Sequence, residues 1–219
     1  MLEFRGVEKS FRLPGGGRRH ILRGLTLDLP RQYRVAIIGR NGAGKSTFLR
    51  MIAGTHRPDR GEIRRIGRVS WPMGFSGGFH SALTGRQNAR FVARIYGADS
   101  DALVEEVSEF CELGPYFDAP FETYSSGMKA RLALGVSLAT NFDCYLVDEI
   151  TAVGDVAFRR KAEAAFAARL DRVQIIMVSH SDDTLRKYCN AALFLQDGHA
   201  WFFDDLEDGL AAYRETLRA

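Results

Sequence analysis

Three short stretches hold the residues whose types and spacing could do chemistry. Gly39-Arg40-Asn41-Gly42-Ala43-Gly44-Lys45-Ser46-Thr47 fits the pattern G-x-x-x-x-G-K-[ST]. Glycines at this spacing let the backbone turn so that successive N–H groups cradle phosphate oxygens. A helix starting there adds roughly half a positive charge at its N-terminus. Lys45 is suited to reach β- and γ-phosphates, and the Ser46 hydroxyl to bind magnesium. A unit charge pair about 4 Å apart is worth about 4 kcal/mol at an effective dielectric near 20. Lys45 should therefore outweigh any exposed arginine. The motif points to a nucleotide and leaves kinase, ATPase and GTPase chemistry open.

The second stretch, Tyr145-Leu146-Val147-Asp148-Glu149, sets two carboxylates at the end of an apolar run. In open α/β sheets the carboxyl ends of strands are where ligands bind. Asp148 is suited to hold magnesium, and Glu149 to polarise an attacking water. His180 closes another apolar run and is either structural or aimed at a γ-phosphate on the same sheet edge. The third stretch, Tyr124-Ser125-Ser126-Gly127-Met128, is a small-residue loop opening a helix. Ser125 or Ser126 is a candidate N-cap, and such a start is either a plain cap or an anion site.

The elements around these residues are legible from pattern. Arg34–Gly39, Cys144–Val147, Val173–Val178 and Ala191–Leu195 are short apolar strands, and the aromatic run Trp201–Phe203 follows the turn Asp197-Gly198. Ser46–Ala53 has a helical pattern, so the glycine loop sits in a strand–loop–helix context. Pro14–Arg19 is expected to be a loop joining two strands of a hairpin. Buried strands separated by helices predict an α/β chain with a mainly parallel sheet covered on both faces. Between Thr84 and Ala139 helical periodicity dominates, as in Asn88–Ile95 and Ala102–Cys111, which predicts a helical insertion between core strands. Leu206–Arg218 reads as one amphipathic helix.

Composition bounds the rest. The 219 residues are 46% hydrophobic and 26% charged, which excludes disordered and fibrous classes. Thirty basic against twenty-seven acidic residues give +3, too little to argue for nucleic acid. No apolar run is long enough to span a bilayer. The N-terminus carries charge from its third residue and lacks a signal-peptide core, so export of the chain is not expected. Cys111, Cys144 and Cys189 are widely spaced and read as small hydrophobes, not as a zinc or disulfide framework.

Taken in order, these segments resemble an ABC-type nucleotide-binding domain over nearly the whole chain. The resemblance implies a P-loop NTPase core, a mixed sheet with flanking helices, carrying an inserted helical subdomain. The core would be 1–83 and 140–205, the subdomain 84–139 and the C-terminal helix 206–219, together one nucleotide-binding domain. It implies ATP and Mg2+ as ligands, with Gly39, Asn41, Gly42, Ala43, Gly44, Lys45, Ser46 and Thr47 around the phosphates and Ser46 and Asp148 on the metal. Lys45, Glu149 and His180 take the catalytic positions. Ser125 and Gly127 match a serine and a glycine of the family's LSGGQ signature, here YSSGM, with Ser126 and Met128 as departures. Asp155 matches the D-loop aspartate. Phe11 matches the aromatic that stacks on adenine, with His20 as the weaker alternative. Met73 stands nearest the family's usual glutamine and cannot coordinate magnesium as an amide would; Gln87 lies too far along.

The stretches SWPMGFSGGFHSALTGRQNARFVARIYG, YSSGMKARLALG and DEITAVGDVAF are similar to ATPases of capsular and other surface-polysaccharide exporters, the KpsT and Wzt type in its short form. That resemblance implies a polytopic membrane permease as partner, and a second copy of the chain in an ATP-sandwich dimer. It further implies a polysaccharide handled mainly by the permease, no nucleic acid, and residence at the cytoplasmic face of the bacterial inner membrane. The segment 72–85 is expected to help form a groove for a permease helix. Two alternatives carry different expectations. A soluble ABC-like ATPase acting on DNA or ribosomes should show a coiled-coil insertion, a second ATPase copy or basic patches. A P-loop small-molecule kinase should show an acceptor pocket and lid.

Overall fold

The computed structural model describes residues 1–73, 78–148, 155–170 and 172–218. The chain forms two compact units: Met1–Pro72 with Asp143–Glu149 and Arg172–Ala219, and Met73–Phe142 with Ile150–Asp171.

The first unit holds two sheets. A six-stranded sheet is built from β3 (Val35–Ile38), β5 (Val69–Pro72), β6 (Cys144–Asp148), β7 (Gln174–Val178), β8 (Ala191–Gln196) and β9 (His199–Phe203), in the order β5-β6-β7-β3-β8-β9. The first five run parallel and β9 closes the edge antiparallel to β8. The central strands β3 and β7 are buried at every residue, which is why they read as continuous apolar runs. The sheet is therefore mixed, as the family resemblance implies.

A separate antiparallel sheet, β2-β1-β4, comprises β1 (Leu2–Arg12), β2 (Arg18–Leu29) and β4 (Arg60–Arg65). Strand pattern alone does not show β4: in RGEIRR only Ile63 is buried. The hairpin loop is also shorter than expected. Arg18 and Arg19 already pair with Arg12 and Phe11, so the strand resumes two residues before the end of the tract read as loop. Cross-strand hydrogen bonding there outweighs the turn-forming composition of the glycines just before it.

Between the sheets lies α1 (Lys45–Ile52), with Phe48, Leu49, Met51 and Ile52 fully buried. One hydrophobic cluster joins it to Leu2, Phe4 and Leu22 of the antiparallel sheet and to Ile37, Ile176 and Leu193 of the parallel one. Phe4 stacks on Phe48 with ring centroids 5.4 Å apart. The helix that carries the glycine loop is thus anchored along its length. α6 (Asp182–Tyr188) follows β7, and α7 (Leu206–Arg218) buries Leu206 and Leu210 against β8 and β3. Two ion pairs tie these helices together: Arg186 to Glu207 at 2.7 Å and Arg214 to Asp182 at 2.5 Å.

The second unit contains α2 (Gly85–Ile95), α3 (Ser100–Cys111), α4 (Ser126–Ala139) and α5 (Val156–Ala167). A capping box starts α2: Thr84 Oγ1 accepts from the Gln87 N–H at 3.1 Å, and Gln87 Oε1 accepts from the Thr84 N–H at 3.0 Å. Gln87 is thereby committed to a helix cap. α3 packs on α4 closely at Gly135, where a Cβ would come within 2.5 Å of Cys111 Sγ. Burial pushes the thiols of Cys111, Cys144 and Cys189 up to about 12, so all three stay protonated hydrophobes near neutral pH.

Candidate nucleotide site

The site grows out of the parallel sheet. β6, β7 and β3 are neighbours, and Asp148 pairs with Val178 at their carboxyl ends. Two residues beyond Val178 stands His180, and directly after β3 comes Gly39. Three functional segments spread over more than a hundred residues of sequence therefore meet on one sheet edge, as open α/β sheets require.

The glycine loop needs glycines for stated reasons. Gly44 has φ of 104° and forms the N-cap of α1; a side chain there would meet Ile21 Cγ2 at 2.5 Å. Gly39, with φ of 149°, lies against the Leu195 carbonyl oxygen. A Cβ at either place forces the loop off its path. No side chain caps α1 and no acidic residue occupies its first turn. The positive dipole end of the helix is thereby suited to an anion.

A cavity of about 810 Å3 opens above this helix start. That volume lies within the range of about 300–1,000 Å3 usual for ligand sites. It is lined by Asn41, Gly42, Gly44, Lys45, Ser46 and Thr47 of the loop, by Asp148 and His180 of the strand ends, and by Phe11 of the hairpin. Gly39 and Ala43 shape the loop without lining the cavity, and Ala43 packs on the core. Phe11 is 40% exposed and so is no core side chain; Lys9 Nζ lies 5.5 Å from its ring centroid. His20 does not line the cavity. Glu149 lies outside the described residues.

Lys45 Nζ donates to the Gly39 carbonyl at 2.7 Å and to the Arg40 carbonyl at 3.2 Å. Its ammonium is folded back over the loop it belongs to. Ser46 and Asp148 bring a hydroxyl and a carboxylate to one cavity, a hard oxygen donor pair of the kind magnesium takes together with phosphate oxygens. The donor set therefore fits that ion.

Reading the sequence for motifs missed four lining residues: Leu13, Arg19, Ile21 and Val178. Three are apolar wall. Arg19 is different, since its guanidinium donates to the Gly42 carbonyl. Its place opposite Phe11 in the hairpin was the available signal, hidden by assigning it to the loop.

The signature residues belong to the second unit. Ser125 is the N-cap of α4, its Oγ accepting from the Met128 N–H at 3.2 Å. Gly127 sits in the first turn, where a Cβ would meet only Ser125 Oγ at 3.9 Å. Asp155 caps α5, accepting from the Phe158 N–H at 2.9 Å, and also receives Arg131 of α4 at 3.1 Å. The Phe158 N–H first, with Arg131 beside it, holds the Asp155 carboxyl below its ordinary value. The start of α5 is thus tied to the helix that Ser125 opens. Of the segment 72–85, residues 74–77 lie outside the described residues. In its described part, Phe79 packs on Phe121 at 5.4 Å and the His80 N–H donates to Asn88 Oδ1 at 2.8 Å.

A strand–glycine loop–helix with no side-chain cap, a lysine, and a carboxylate and histidine on adjacent strand ends defines a P-loop nucleotide-binding core. Comparison with known proteins narrows the class. The family model described as ABC transporter matches residues 22–152. The chain is 47% identical over 99% of its length to the whole of a polysialic acid transport ATP-binding protein KpsT of Escherichia coli. It is 44% identical over 97% of its length to 98% of the capsule polysaccharide export ATP-binding protein CtrD of Neisseria meningitidis serogroup B. To the whole of the ATP-binding protein BexA of Haemophilus influenzae it is 42% identical, over its full length. Among solved structures, a dimeric post-hydrolysis state of the ATP-binding cassette MJ0796 bound to ADP and Pi superposes with a TM-score of 0.76. That match is 20% identical and covers 94% of this chain and 99% of that one. The chain belongs to the ATP-binding subunits of the ABC transporter family, and it is a nucleotide-binding ATPase.

Proposed function

We propose that this chain binds and hydrolyses ATP to drive export of a capsular or other cell-surface polysaccharide through a separate polytopic membrane subunit. The observation that carries this reading is the assembly of Lys45, Ser46, Asp148 and His180 around one cavity, in a chain that aligns end to end with capsule-export ATP-binding proteins. Among the described residues no helix is long and apolar enough to cross a membrane.

In this reading Phe11 stacks on adenine and the backbone of Gly39–Thr47 wraps the phosphates. Lys45 turns from its loop carbonyls to the β- and γ-phosphates, a change from neutral to charged acceptors that strengthens each hydrogen bond. Ser46 and Asp148 would hold magnesium, which when bound neutralises phosphate charge. Glu149 takes a proton from water as its oxygen bonds to the γ-phosphorus, and the bond to the bridging oxygen breaks to give ADP and phosphate. His180 steadies the γ-phosphate. Two copies face head to tail, each supplying Ser125, Gly127 and Asp155 to the other's nucleotide. ATP then acts as adhesive and hydrolysis releases the pair. The complex sits at the cytoplasmic face of the inner membrane, and the segment 72–85 contributes to the permease groove.

The test is Glu149→Gln. The variant should bind ATP, turn it over at a small fraction of the normal rate, and accumulate as a dimer on size exclusion with ATP. Normal turnover would remove Glu149 as the base. Affinity capture of the tagged chain from detergent-solubilised membranes should bring a polytopic protein; its absence would count against the transport role.

A further inference from the structure

We propose that Arg19 is a nucleotide-binding residue of this site, a second cation that grips the phosphate chain from the hairpin as Lys45 grips it from the loop. The proposal rests on the ATP-binding reading above and adds a residue to it.

Four observations carry it. Arg19 lines the same cavity as Lys45, Ser46 and Asp148. It is the antiparallel partner of Phe11, so the side chains of these two residues leave the hairpin on one face. From there its guanidinium spans to the glycine loop and donates to the Gly42 carbonyl. It thus occupies the interval between the proposed base-stacking ring and the phosphate cradle. Finally, among the described residues no carboxylate lies within ion-pair distance of Arg19. In the same antiparallel sheet Arg5 is ion-paired with Asp28 and Arg64 with Glu62, whereas Arg65 donates to main-chain carbonyls as Arg19 does but lines no part of the cavity.

Arg19 and Lys45 share one condition. Both cations are turned onto neutral backbone carbonyls of the same loop: Gly42 for Arg19, Gly39 and Arg40 for Lys45. The Gly42 carbonyl compensates the charge of Arg19 only in part. A polyphosphate in the cavity is a far better acceptor, and guanidinium–phosphate hydrogen bonds are roughly twice as strong as neutral ones. The long side chain can exchange Gly42 for a phosphate oxygen with no movement of the backbone. A group that merely braced the loop has no need of a charge, and a glutamine could serve.

The experiment measures dissociation constants of ATP, ADP and adenosine for the full chain and for Arg19→Ala, Arg19→Gln and Arg19→Lys, with Lys45→Ala as reference. Arg19→Ala and Arg19→Gln should weaken ATP and ADP at least about tenfold, the effect of one hydrogen bond to a charged group. Adenosine affinity and the melting temperature of the nucleotide-free protein should stay as they are, and Arg19→Lys should recover part of the loss. Unchanged ATP affinity in Arg19→Ala overturns the proposal. So does full affinity in Arg19→Gln, or an equal loss for adenosine and ATP. If Lys45→Ala also binds ATP normally, the nucleotide reading itself fails; if only the Arg19 variants are silent, the reading stands without Arg19.

Discussion

Two helix starts in this molecule look alike in sequence and differ in what they have done with their free N–H groups. Both open on small residues, Gly44 ahead of α1 and Ser125 ahead of α4, and neither has an acidic residue in its first turn. The start of α1 is uncapped: its N-cap is Gly44, and the loop ahead of it opens into a cavity with two cations turned back on its carbonyls. The start of α4 is closed by its own hydroxyl, Ser125 accepting from Met128. An uncapped start is incomplete and gains from a ligand. A capped one is already satisfied by a group of about the right geometry, and can only lend that group to something else. The proposed function uses this contrast: in it the first is the primary binding site and the second a surface offered to a nucleotide held by another copy.

Substitutions can break this distinction. The largest effect belongs to Lys45→Ala, which should weaken ATP binding about a hundredfold or more, against Ser125→Arg, which should leave the affinity of the single chain intact and abolish turnover. Calorimetric titration with ATP and a phosphate-release assay check the pair; equal loss of affinity in both would erase the contrast. Next are the glycines. Gly44→Ala forces an alanine into the left-handed region and against Ile21, and should cost about 1–3 kcal/mol in urea unfolding. Gly127→Ala makes only an ordinary contact with Ser125 Oγ and should stabilise the helix by roughly 0.5–1 kcal/mol, while still losing turnover if a partner's nucleotide needs close approach there. Ser125→Ala removes the cap and should cost about 1 kcal/mol, visible as a lower melting temperature without loss of ATP affinity.

The smallest effect concerns Asp155. Its carboxyl is held below the ordinary value by the Phe158 N–H and Arg131. The contribution to stability is then present above the ordinary carboxylate pKa and is lost as pH falls through the lowered one. Melting curves for Asp155→Asn should lie slightly below the parent at neutral pH and converge with it in acid, so that the variant falls less steeply as pH drops. An unchanged acid slope would mean that the aspartate titrates as if free.

How much of this could be read beforehand follows from how local each feature is. The glycine loop, Asp148 and His180 were legible because each closes an apolar run within a few residues, and strand ends in such sheets share an edge. The Ser125 cap was legible for the same reason, as a hydroxyl ahead of a helix. Arg19 was not, because its strand pairing with Phe11 is set by cross-strand hydrogen bonds that overrule a glycine-rich loop. β4 escaped notice because its one buried residue, Ile63, leaves no alternation to see. The tie between Asp155 and Arg131 spans 24 positions and two helices, beyond any periodic signal.

By itself the sequence determined the chemistry at each strand end and helix start, since glycine freedom, lysine charge and carboxylate position are properties of residues and their nearest neighbours. Only the tertiary structure decided which cations turn onto which carbonyls, and which side chains share the cavity with Lys45. Those depend on long-range strand pairing and on α1 being clamped between two sheets, where burial of Phe4 against Phe48 holds the loop in one place.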